Sequence, residues 1–220
     1  MLNGMKTNVS PKIKALAGMG IAGIAIAGFV ALYEPETKET SRPSDEKLHA
    51  LAVGFGIATA TPLQLPTATK KTHCTINGPY PDLECTPGAL FTDKTVDEIC
   101  AAGYTKTVRN VSAITKKKLY LAYGIKYPEP LGSYEADHFI PLELGGSNDV
   151  ANLFPEAAGP PPGFKEKDVV ENYLHTEMCA QRITLSEAQG LIAADWLKVY
   201  QSLSPEEISA LKKKFKSWAD

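Results

Sequence analysis

The stretch from Tyr134 to Pro155 restricts the fold more than any other: Tyr134-Glu135-Ala136-Asp137-His138-Phe139-Ile140-Pro141-Leu142-Glu143-Leu144-Gly145-Gly146-Ser147-Asn148-Asp149-Val150-Ala151-Asn152-Leu153-Phe154-Pro155. Its first half alternates loosely in polarity, as a strand does when residues two apart share a face. Pro141 cannot donate to a ladder and Gly145-Gly146 supplies a tight turn, so the strand must break there. Asn152-Leu153-Phe154 can return as a second short strand. Pro128 and Pro130 force an extended approach from upstream. Downstream, a Pro-rich run from Gly159 to Gly163 precedes a helix expected from about Lys165 to Cys179. Strand, loop, strand and helix form the smallest frame in which a carboxylate and a histidine at a strand end can face a helix across a cation.

The remaining chain points to an α+β fold that is mostly helical. Thr105 to Val111 reads as a short strand. Ser112 can cap a helix running through Tyr123, which Gly124 would stop. Thr184 with Glu187 and Ser204 with Glu207 are capping boxes, the second with Pro205 at the first helical position. There are no internal repeats.

Ala15 to Tyr33 is uncharged and, at about 1.5 Å per residue, long enough to cross a hydrocarbon layer of about 30 Å. Lys6, Lys12 and Lys14 precede it and Glu34, Glu36 and Glu39 follow, which keeps the basic flank cytoplasmic and exports the bulk of the chain. It reads as a transmembrane anchor, with a cleaved signal peptide as the competitor. Localisation is thus expected to be membrane-anchored with an exoplasmic or periplasmic domain, or secreted. The expected organisation is a basic flank over 1–14, the anchor or signal segment over 15–33, a linker over 34–73, a folded domain over 74–200 and a C-terminal helix over 201–220. A weaker apolar stretch, Ala50 to Ala60, is too short to span and reads as a sticky part of the linker, or as a signal core if the true start lies downstream.

Cys74, Cys85, Cys100 and Cys179 all follow the apolar run, on the oxidising side. Of the three possible pairings, Cys74 with Cys85 and Cys100 with Cys179 is favoured: the first closes a loop containing Pro and Gly, the second pins a late helix to an early segment. The alternative is reduced, buried thiols; no Cys-x-x-Cys occurs to suggest zinc. Charge is nearly balanced, 23 Lys+Arg against 25 Asp+Glu, which argues against a tight, sequence-specific DNA binder. It leaves a nuclease open, because a divalent metal can supply the positive charge a scissile phosphate needs.

Asp137-His138 carries the chemistry. Phosphodiester hydrolysis needs a base to deprotonate water and hard ligands to hold a cation, roles that suit His138 and Asp137. The pattern Asp-His-x-x-Pro-Leu-x-x-Gly-Gly-x-x-x-x-x-Asn-Leu, with 14 positions from His138 to Asn152, resembles the HNH endonuclease signature of the ββα-metal or His-Me finger class. The stretch from Cys85-Thr86-Pro87-Gly88-Ala89 to Asp195-Trp196, roughly half of the chain, is similar to exported bacterial HNH-like proteins. The resemblance implies a ββα-metal finger embedded in a small, mostly helical, disulfide-stabilised domain. It implies His138 as the water-activating base, Asp137 as a metal ligand, and Asn152 as stabiliser of the loop or contributor to the metal site.

The departure is at the last ligand, where the Pro-rich insertion intervenes and Phe164 and Lys165 stand in the neighbourhood. On the following helix Asp168, Glu171, Asn172 and His175 form a polar stripe opposite Val169, Val170, Tyr173 and Leu174. Glu171 or His175 is the candidate to complete the metal site, Lys167 is the candidate phosphate contact in catalysis, and a solvated face is the alternative for the whole stripe. The expected cofactor is a divalent metal, Mg²⁺ first, Mn²⁺ or Zn²⁺ otherwise, with no small-molecule cofactor. The expected partners are DNA or RNA, read with little sequence specificity, and the membrane through the N-terminal segment. The competing function is an inactive HNH-like binding module that contacts protein or envelope polymer. His49 and His73 read as inert linker residues, Trp196 and Tyr200 as core, and Lys116-Lys117-Lys118 and Lys212-Lys213-Lys214 as solvated faces.

Overall fold

A computed structural model describes residues 43–57 and 62–215. The basic flank and the segment expected as anchor or signal, 1–14 and 15–33, lie outside the described residues. Among the described residues no helix is long and apolar enough to cross a membrane.

The fold is α+β. Among the described residues are helices α1 (Pro43–Gly54), α2 (Val96–Ile99), α3 (Tyr104–Val108), α4 (Ala113–Ala122), α5 (Phe164–Cys179), α6 (Leu185–Ser202) and α7 (Pro205–Lys214), with strands β1 (Tyr134–His138) and β2 (Leu153–Ala157). Local chemistry sets most boundaries. Ser112 accepts from the Thr115 N–H to open α4, and the Thr184/Glu187 and Ser204/Glu207 boxes open α6 and α7, each such cap contributing about 1 kcal/mol. Glu166 does the same for α5, its side chain accepting the Gly163 N–H at 3.0 Å.

Two regions differ from expectation. Residues 34–73 do not form a linker throughout, because α1 folds onto α6: Leu48 and Ala52 enter the core, with Leu51 and Phe55 packed beside them. These four positions are spaced 3, 1 and 3 residues apart, one face of a helix. The compact unit already includes α1 and so begins before Cys74. His49, expected to be inert, lies 2.8 Å from Glu187. The strand expected over Thr105 to Val111 is instead mostly α3, docked by buried Tyr104 and Thr105.

Among the described residues the sheet is a single antiparallel pair, with His138 opposite Leu153, Asp137 opposite Phe154 and Glu135 opposite Glu156. Between the strands the chain makes two 3₁₀ turns, Leu142–Leu144 and Val150–Asn152. The paired glycines have separate reasons. Gly145 closes the first turn at φ +76°, which favours glycine, while a Cβ on Gly146 would stand 1.8 Å from the Ile140 carbonyl oxygen. Phe154 and Leu153 of β2, Val170 and Leu174 of α5, and Leu191, Ile192 and Trp196 of α6 make the centre of the core. Each large apolar side chain buried there stabilises by about 1.5–3 kcal/mol.

Both expected disulfides are present, Cys74–Cys85 and Cys100–Cys179. They indicate an oxidising, extracytoplasmic environment.

Candidate functional site

His138 closes β1 with 2% of its surface exposed. Its Nε2 lies 3.2 Å from Asn148 Oδ1, and the hydrogen-bond directions can be deduced. The Asn110 backbone N–H can only donate and reaches Asn148 Oδ1 at 3.1 Å, while Asn148 Nδ2 donates to the Val108 carbonyl at 2.7 Å. Asn148 therefore presents an acceptor to the imidazole, so Nε2 carries the proton and Nδ1 keeps a lone pair. Burial pushes the His138 pKa down to about 4, against the pull of the Asp137 charge, so the ring is neutral at neutral pH.

Asp137 points the other way, as neighbours on a strand do. Its Oδ2 accepts from Lys167 Nζ at 2.7 Å. Lys167 is 0% exposed, and its ammonium also donates to the His138 carbonyl at 2.8 Å and to Glu171 one turn further along α5. Glu156 lies 3.6 Å from it. The expected phosphate contact is therefore corrected: Lys167 is enclosed by carboxylates and cannot reach a ligand without leaving them.

Four carboxylates, Asp137, Glu143, Glu156 and Glu171, share the field of this one ammonium. Burial pushes Glu143 and Glu171 up to about 8, each raised further by neighbouring negative charge, and pushes Glu156 well above the carboxylate range. Burial also acts on Asp137, but there the Lys167 ammonium outweighs it and holds the group below its ordinary range. Asp168, at the edge, is pushed up to about 7 by burial and by the Asp137 charge. Glu143 Oε1 and both Glu156 oxygens are buried without a hydrogen-bond partner. Buried carboxyl oxygens of this kind are the donor type of a hard divalent cation, whose charge would favour the ionised forms that burial opposes. The carboxylates, however, stand around an ammonium, and they are not among the groups of three whose ligand atoms lie within 4.8 Å of one another.

The other expected ligands fall elsewhere. Asn152 is fully buried, its Oδ1 accepting from the Ile140 N–H at 2.9 Å and its Nδ2 donating to the carbonyls of Ile140 and Ser147, both at 2.9 Å. That is the loop-stabilising one of its two implied roles, and it engages both ends of the amide. His175 faces away from Asp137: its Nε2 is 3.3 Å from Cys179 Sγ and 3.4 Å from the Ile99 carbonyl oxygen. Cys100, His175 and Cys179 form a group of three whose ligand atoms lie within 4.8 Å of one another and which can hold a metal ion, although both sulfurs are joined in a disulfide.

Sequence reasoning missed Asn148, Glu143 and Glu156. Asn148 had one usable signal, an amide side chain in a Gly-Gly-Ser-Asn loop next to a histidine's strand, and Glu143 another, an acid inside the apolar run Pro141-Leu142-Glu143-Leu144. The basic runs Lys116-Lys117-Lys118 and Lys212-Lys213-Lys214 are exposed, as expected of solvated faces. No family model, curated protein or solved structure matches the chain.

Proposed function

We propose that this chain is a divalent-metal-dependent endonuclease that hydrolyses phosphodiester bonds of DNA or RNA, acting outside the cytoplasm as an anchored or secreted protein. One observation carries the reading: a buried, neutral imidazole, held by Nε2 with Nδ1 unprotonated, stands one residue along β1 from Asp137 and its buried acid cluster. His138 Nδ1 takes the proton of an attacking water. Asn148 fixes the tautomer and the ring plane, so that this lone pair does not turn inward. Asn152 keeps the loop closed behind His138, and Lys167 keeps Asp137 ionised. Asp137, Glu171 and Glu143 are the carboxyls that would hold the cation, drawing together in place of the Lys167 ammonium that Asp137 and Glu171 now contact. When bound, a divalent cation neutralises charge developing on the phosphate.

A second reading is favoured by the position of Lys167. Its ammonium already stands among the carboxylates as a resident cation, which suits an HNH-like scaffold that binds protein or envelope polymer without catalysis. Nicking of supercoiled plasmid by the oxidised full chain, in EDTA and in Mg²⁺, Mn²⁺ or Zn²⁺, separates the two. The nuclease reading expects metal-dependent nicking that His138→Ala lowers by about 10²- to 10⁴-fold at every metal concentration. Asp137→Ala should instead recover in part at high metal. Absence of nicking under all metals would favour the scaffold.

A further inference from the structure

We propose that reduction of the Cys100–Cys179 bridge turns this corner into a Cys₂His zinc site, with the two thiolates and His175 Nε2 as ligands. The inference does not rest on the nuclease reading. It starts from the difference between the two bridges. Cys74 and Cys85 are both buried at 6% exposure, whereas Cys100, Cys179 and His175 are all half-buried, within reach of a reductant and of an ion.

The geometry is close to what zinc imposes. Zn–N of about 2.0 Å and Zn–S of about 2.3 Å at a tetrahedral angle separate nitrogen from sulfur by about 3.5 Å. His175 Nε2 and Cys179 Sγ are 3.3 Å apart. They lie one turn apart on α5, whose 16 residues hold both on one face. The sulfurs must separate to about 3.8 Å, the S···S distance across a tetrahedral zinc. Cys100 is the residue able to give: it is the C-cap of the four-residue α2, in which only Ile99 is buried. Burial lowers the His175 pKa, so the ring is neutral at neutral pH; the Ile99 carbonyl 3.4 Å away keeps the proton on Nε2 in the oxidised form, and zinc binding moves it to Nδ1, freeing the Nε2 lone pair. Three ligands leave the fourth tetrahedral vertex to water.

The chemistry balances. A dithiol donates two electrons and two protons, leaving as its own disulfide, while the Cys100–Cys179 bond breaks to two thiols. Binding of Zn²⁺ then releases both thiol protons to solvent. In the oxidised protein neither sulfur is a thiolate, so the site exists only in the reduced form.

The test uses the full chain and Co²⁺ as the optical probe, with a phosphine as reductant so that no dithiol competes for the ion. The oxidised chain should show no thiolate-to-cobalt charge transfer. The reduced chain should take up one equivalent, with tetrahedral d–d bands that Zn²⁺ abolishes. C100S/C179S should remove the signal. H175A should weaken binding by at least the ~10- to 100-fold that loss of an outer-shell partner costs. A reduced chain without the bands, a signal that survives C100S/C179S, or an affinity unchanged in H175A overturns the proposal. So does loss of far-UV helical ellipticity on reduction before any ion is added, because the site needs α5 folded.

Discussion

The two ends of α5 carry opposite kinds of donor on one helix. Toward its N-terminus Lys167 and Glu171 meet Asp137 and Glu156, all oxygen donors around an ammonium. Toward its C-terminus His175 and Cys179 meet Cys100, nitrogen and sulfur donors closed by a covalent bond. A hard cation suits the first and a soft one the second. The polar stripe that reads from sequence as one candidate site is therefore two, separated by about 6 Å of helix rise between Glu171 and His175. Each end is already closed, one by charge and one by a bond, so each can be opened by a different change.

The largest effect should come from opening the first end. Lys167→Met removes the ammonium in contact with Asp137 and Glu171 and leaves a buried carboxylate uncompensated, a loss of about 3–5 kcal/mol. If the cluster can hold a hard cation, millimolar Mg²⁺ should restore part of the loss in urea unfolding, and stabilise the variant more than the wild type, where Lys167 competes with the ion. Restoration by Zn²⁺ alone, or dependence of the gain on His175, would break the distinction between the ends.

At the other end the comparison is between bridges. Cys100–Cys179 spans 79 positions and Cys74–Cys85 spans 11. Chain entropy then assigns them about 4.5 and about 2.8 kcal/mol, so C100S/C179S should cost about 2 kcal/mol more than C74S/C85S. The tighter packing of Cys74 and Cys85 narrows the gap. Denaturant midpoints of the two variants, measured side by side, check the order.

A smaller effect is expected at Asn148, which touches neither end of α5. Under the proposed nuclease reading, Asn148→Ala frees the His138 ring and should lower the nicking rate about tenfold, equal to about 1.4 kcal/mol of barrier, through kcat and not KM. Asn148→Asp keeps an acceptor for Nε2 but loses the donor to the Val108 carbonyl, and should retain more of the rate than Asn148→Ala. A purely structural role would move stability and leave this split absent.

The smallest effect tests whether the comparison is confined to α5. Glu187 caps the neighbouring α6; burial works against its charge, but hydrogen bonds from Thr184 and the contact with His49 hold its pKa below the ordinary value. A depressed carboxyl contributes stability above its unfolded pKa of about 4.3 and loses it as pH falls through the lower folded value. Glu187→Gln should therefore narrow the acid-side loss of stability while leaving both ends of α5 unchanged, as unfolding midpoints at pH 6 down to about pH 3 would show.

What the sequence made legible were features fixed by neighbours in the chain. The Ser112, Thr184 and Ser204 caps need only residues three positions on, and the strand, turn and strand around Gly145-Gly146 follow from local steric limits. Both cysteine pairings were legible from loop chemistry and position. α1 was missed because its face of Leu48, Leu51, Ala52 and Phe55 is short and lies in a stretch whose overall composition reads as tether. Lys167 was misread for a different reason. A lysine on a helix says nothing of its burial until the partner strands are in place, and its carboxylates come from β1, β2 and its own helix. Asn148 likewise acquires its role from Val108 and Asn110, about forty residues upstream and on no shared local element.

The long bridge also changes what a cut in the chain can do. Gly159, Pro160 and Pro161 are exposed between β2 and α5, at the kind of loop where proteases act. Cys100 lies upstream of that loop and Cys179 downstream. A chain nicked there would keep Asp137 and His138 covalently tied to the fragment that carries Lys167 and Glu171. It would migrate as one species without reductant and as two with it, and the two halves would part company only where the surroundings are reducing.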